Sequence, residues 1–123
     1  NKQTENIREE QEDVAEAKRK LAVVEERYKT EQSRLAYVAE QEARLAQADE
    51  RINALNTRIG KLDQNDAERT RLQGKLDHIR ELRKRAGDQL PDLKSAKTDN
   101  WGVKHTTVDT TINELFRALD DVK

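Results

Sequence analysis

Several residue types are scarce in this chain of 123 residues, and each scarcity removes a class of protein. There is no Cys, so a disulfide framework, a thiolate nucleophile and a thiolate metal site are all excluded. A single Pro and four Gly leave little to punctuate long regular segments. Only four aromatics occur, namely Tyr28, Tyr37, Trp101 and Phe116, which argues against a thick globular core. No run approaches the ~20 consecutive apolar residues of a membrane span. Neither charge sign dominates: 24 basic residues nearly cancel 25 acidic ones, so no general pull toward nucleic acid or anionic membrane is expected. Met is also absent and the chain opens on Asn1, which reads as a processed or excised product, with a removed signal peptide as one explanation.

What remains is charge and small apolar residues. Forty percent of the chain is charged and 33% is apolar, and Ala makes up about a third of that apolar set. Balanced charge with abundant Ala, Glu, Arg, Leu and Lys is the composition of long helices that meet along narrow seams.

The spacing predicts such helices. Ile7, Val14, Leu21, Tyr28 and Leu35 recur every seven residues, and Ala17, Val24, Val38 and Leu45 supply the intervening three-four step. The series Leu45, Ala48, Ile52, Leu55, Ile59 and Leu62 continues it after a slip near 42–48, as in a stammer. Acid-first i,i+4 pairs, Glu16–Lys20, Glu25–Lys29 and Glu40–Arg44, support the helix. With no Gly or Pro before Gly60, one unbroken helix over about 3–62 is expected, roughly 90 Å long at ~1.5 Å per residue.

A turn is predicted near 64, where Asn65 or Asp66 can cap a second helix and Asn65 with Glu68 has capping-box spacing. That helix spans about 66–86 through Leu72, Leu76, Ile79 and Leu82, and closes on Arg83-Lys84-Arg85-Ala86-Gly87. A joint over 87–98 containing Pro91 follows. A last helix over about 99–122 carries Trp101, Val108, Ile112, Leu115, Leu119 and Val122, although its threonines lower its propensity. The fold class is therefore all-α: a single domain built as a long antiparallel coiled-coil helical hairpin with a broken, kinked second arm. One point cuts against a turn at 64. The acidic stretch Glu5, Glu9, Glu10, Glu12, Asp13 and Glu16 would then approach Asp120 and Asp121. A turn at 46–50, or an antiparallel dimer, would pair acid with base better.

The C-terminal half resembles a known type. Trp101-Gly102-Val103-Lys104, then Val108-Asp109, Ile112, Leu115 and Ala118-Leu119-Asp120-Asp121, after the charged helix Leu72 to Arg85, is similar to small bacterial coiled-coil hairpin proteins, envelope- or stress-associated. The likeness covers residues 66 to 122 and departs at Pro91, where those proteins stay helical. It implies a helical, bacterial, periplasmic or exported protein, and carries over no functional residues.

Chemistry-bearing constellations are few. His105 and Asp109, four apart, offer two metal ligands where a structural zinc site wants four, and no Glu-x-x-His pair flanks His78 or His105. Both histidines read as surface residues, no metal or cofactor is called for, and catalysis is not expected. The basic stretch 69–85 carries Arg69, Arg71, Lys75, Arg80, Arg83, Lys84 and Arg85 against Asp77 and Glu81. It reads either as a phosphate-binding face for nucleic acid or anionic lipid, or as solvated cations partly paired to Asp49, Glu50 and the acidic N-terminal stretch. Trp101 reads as a plug packed on the first helix, or as an anchor for a protein partner. The resulting expectation is a non-enzymatic structural or protein-interaction module, a spacer or scaffold that associates with itself or a partner through helical seams. The second reading is a polyanion-binding module using 69–85.

Overall fold

The structure, a computed structural model, describes the backbone of residues 2–122 and side chains from residue 6. Asn1 and the side chain of Glu5 in the acidic stretch lie outside the described residues. Four helices follow one another: α1 (Lys2–Arg27), α2 (Glu31–Gly60), α3 (Ala67–Lys94) and α4 (Thr98–Asp120), with no strand among the described residues. The chain divides into two compact units, residues 1–34 and 35–123.

The expected continuous helix over 3–62 is two helices. The break at 28–30 has a local cause that Gly and Pro do not signal. Thr30 caps α2: its Oγ1 accepts the Ser33 N–H at 3.1 Å, and Ser33 Oγ donates to the Thr30 carbonyl at 2.8 Å. Arg34 Nε donates to the Tyr28 carbonyl at 2.8 Å, placing a cation on the exposed end of α1. Lys29 falls in this break, whereas the Glu16–Lys20 pair forms within α1 at 3.2 Å.

The seam residues of α1 are not sealed. Ile7 and Val14 are 56% and 53% exposed, and Leu21, Val24 and Tyr28 are half-buried.

In residues 35–123, α2, α3 and α4 form a bundle with a continuous core. Val38, Gln41, Leu45, Ala48, Ile52, Leu55 and Ile59 are buried on α2 in an even three-four rhythm. No slip occurs at 42–48, because polar Gln41 occupies a seam position while Leu35 stands exposed. On α3 the heptad Leu72, Ile79, Ala86 and Leu93 is fully buried, and on α4 Trp101, His105, Val108, Ile112, Leu115 and Leu119 continue the rhythm. Fully burying each large aliphatic side chain is worth about 1.5–3 kcal/mol. The threonines of α4 are accommodated by back-bonding: Thr106, Thr107 and Thr111 donate to the carbonyls of Gly102, Val103 and Thr107.

The turn after α2 falls at 61–66, and Asp66 caps α3 by accepting the Glu68 N–H at 2.9 Å. Asp66, rather than an Asn65–Glu68 box, makes the cap. The expected joint over 87–98 is corrected: α3 runs on through Pro91 to Lys94, and only residues 95–97 interrupt the helices. Pro91 sits on the exposed side, and its missing N–H leaves the Gly87 carbonyl without a helical partner. Burying Leu90 and Leu93 on either side, at about 1.5–3 kcal/mol each, outweighs a proline cost of about 3 kcal/mol. Gly87 is accordingly mid-helix and not a left-handed cap, since no Gly has positive φ. Its lack of a Cβ has another use: one there would lie 2.8 Å from Arg83 Nη1, so the Arg83 side chain passes over it.

Candidate functional site

The seven bases expected to make a phosphate-binding face are mostly engaged inside the molecule. Arg83 grips the Asp49 carboxylate on α2 with two bonds, Nε to Oδ1 at 2.7 Å and Nη2 to Oδ2 at 3.1 Å. Lys75 reaches Asp121 at 2.8 Å. Arg71 holds Glu68, Arg85 lies 3.5 Å from Glu81, and Arg69 donates to the Leu62 carbonyl at 2.7 Å, closing the turn. Arg80 and Lys84 alone of the seven make no hydrogen bond or ion pair among the described residues. Asp77, Glu81 and Asp88 share the exposed side of α3 with them, so that surface carries both signs.

The electrostatics follow the pairs. The hydrogen bond from Arg71 holds the Glu68 carboxyl below its ordinary range, and Arg71 is raised in return. The bond from Lys75 does the same to Asp121.

A second set of cations escaped the sequence reading. Arg44, Arg51 and Arg58 are seven residues apart on α2, each one position before a buried Leu or Ile. All three bind α4 or the residues just after it: Arg44 to Asn113 Oδ1 at 3.3 Å, Arg51 to Asp120 at 2.9 Å, and Arg58 to the Val122 carbonyl at 3.0 Å. Phe116 lies under two of them, 4.9 Å from the Arg44 guanidinium and 6.0 Å from that of Arg51. Arg44 also satisfies buried Gln41 by donating to its Oε1 at 3.1 Å, in place of the expected pair with Glu40. The seven-residue recurrence of Arg was the available signal.

At the start of α4, Lys104 bonds Asp92 near the end of α3, while Asp121 at the far end of α4 meets Lys75 near the start of α3. The acidic end of α4 therefore lies against Arg51 and Lys75. Lys94 pairs with Glu42 across α3 and α2.

Trp101 is 4% exposed and packs edge-on to Tyr37 of α2 with ring centroids 5.9 Å apart. It is a core side chain, not a surface anchor. The surface placement expected for His105 is corrected: it is 7% exposed, its ring 4.3 Å from Tyr37 and 5.3 Å from Trp101. Four residues after Trp101 and three before Val108, it lies on the apolar stripe by spacing alone. Asp109, its suggested co-ligand, instead accepts from Tyr37 Oη at 3.4 Å. His78 is exposed, and no group of three or more His, Asp or Glu able to hold a metal occurs among the described residues. No described helix is long and apolar enough to cross a membrane.

Comparison with known protein families, curated proteins and solved structures finds no match.

Proposed function

We propose that this chain is a non-enzymatic helical module acting through protein–protein contact, in which residues 35–123 are a folded body and α1 supplies the contact surface. One contrast supports this reading: the large apolar seam residues from Val38 onward on α2, α3 and α4 are sealed, while Ile7 and Val14 on an intact 26-residue helix are more than half exposed. An apolar stripe on a long helix is stabilised by covering it with another helix. We read α2 and α3 as an antiparallel coiled-coil hairpin, a reading supported by their buried heptads and by the cross-pairs Glu42–Lys94, Asp49–Arg83 and Arg58–Glu68. The likeness of residues 66 to 122 to envelope-associated proteins supports a periplasmic or envelope setting, which fractionation of producing cells tests.

The contact reading is tested with the whole chain as bait beside its Val14→Glu/Leu21→Glu variant. It expects a protein held by the first and lost from the second. Equal capture by both, or by neither, overturns it.

The second reading, polyanion binding through 69–85, is favoured by one observation, the unpaired Arg80 and Lys84. Two free cations among acidic neighbours make a weak phosphate track. Labelled duplex DNA and anionic vesicles at about 50 mM salt test it, because phosphate contacts of this kind are strongest when salt is low. Binding that falls steeply with salt and is lost in Arg80→Gln/Lys84→Gln supports the reading, and its absence removes it.

A further inference from the structure

We propose that α1 pairs with α1 of a second copy of this chain, side by side, in the same direction and in register. The inference rests on the reading of α1 as a contact surface and names its occupant.

The stripe has the two-stranded pattern. Ile7, Val14, Leu21 and Tyr28 fall on one seam position, and Ala17 and Val24 on the other. The charges beside the seam select the partner. In a parallel pair, the residue just before each first seam position faces the residue five further along in the other copy. That places Asp13 against Lys18 of the second copy and Lys20 against Glu25 of the second copy, and two-fold symmetry repeats both. Asn6 meets Gln11, and no like-charged pair arises at these flanking positions. In the opposite sense only Asp13 and Lys20 attract, while Arg27 meets Asn6 and Lys18 meets Gln11. The parallel pair therefore has four attractive contacts against two. Lys20 is free to turn outward, since its bond to Glu16 joins two exposed side chains. Glu10 falls on the second seam position and meets its own copy. This like-charge contact weakens the parallel pair, and the opposite sense, which sets Glu10 against Leu21, avoids it.

Sedimentation velocity on the whole chain, from about 1 µM to about 1 mM, reads the association directly. The expected result is a monomer that passes to a dimer with concentration. Leu21→Asp abolishes the dimer. Asp13→Lys and Lys18→Glu each weaken it by about tenfold or more, and the double exchange restores it. Trp101 emission, which reports the core of residues 35–123, stays unchanged in every variant. A single monomeric mass throughout, or a dimer indifferent to Leu21→Asp, overturns the proposal. A dimer weakened by Asp13→Lys but untouched by Lys18→Glu overturns the parallel arrangement. If the chain is monomeric yet the bait experiment still shows capture dependent on Val14 and Leu21, self-pairing fails while the contact reading survives.

Discussion

His105 fills the space between the rings of Tyr37 and Trp101, and truncating it leaves a hole against two aromatic faces. His105→Ala is expected to lower stability by about 2–3 kcal/mol, with Trp101 emission shifted to the red as water reaches the indole. A surface histidine would give neither effect. The exposed pairs act differently. Glu68 and Asp121 are held below their ordinary carboxyl range by Arg71 and Lys75, so the folded chain binds fewer protons than the unfolded chain as acid is added. Their contribution is complete above the ordinary carboxyl range and is lost as pH falls through the lowered values. Melting curves from pH 6 downward are expected to show a smaller drop in Asp121→Asn than in the parent chain. An equal drop in both would remove Asp121 from that account.

Helix boundaries are set by side chains that tie up backbone groups, or by burial that overrides local preference. The break at 28–30 belongs to the first kind. Thr30→Ala removes the cap on α2 and is expected to cost roughly 1 kcal/mol locally, seen as about fivefold faster exchange of the Ser33 N–H, with the global melt little changed. The run through Pro91 belongs to the second kind, because Leu90 and Leu93 are buried on either side of it. Spacing made the helical content of all four elements legible, as well as the turn at 61–66. It misplaced the limits at 27, 31 and 94. Thr30 is a common residue whose capping role depends on Ser33 and Arg34, and Pro91 is tolerated because its ring faces outward while Leu90 and Leu93 are buried on either side of it. The candidate site was less legible: the seven bases in 69–85 look alike in a sequence, and only the partners of the other five show that Arg80 and Lys84 are free.

Across the whole chain, every large apolar residue under a tenth exposed lies between Tyr37 and Val122. A chain of residues 35–123 alone is therefore expected to unfold cooperatively, with a melting midpoint within about 3 °C of the full chain's at micromolar concentration. A broad, non-cooperative melt would show that residues 1–34 contribute to that core. By itself the sequence determined that the chain is helical, which residues form apolar stripes, and that no run is long and apolar enough to cross a membrane as a helix. These are properties of spacing and composition, which act within one helix. Only the tertiary structure decided which stripes are covered, that Gln41 and His105 belong to the core, and that Lys75, Arg83 and Lys94 of α3 are bound across the bundle. Burial and ion pairing require residues far apart in the chain to meet, and a helix of either kind carries the same three-four rhythm whether its stripe is sealed or left open.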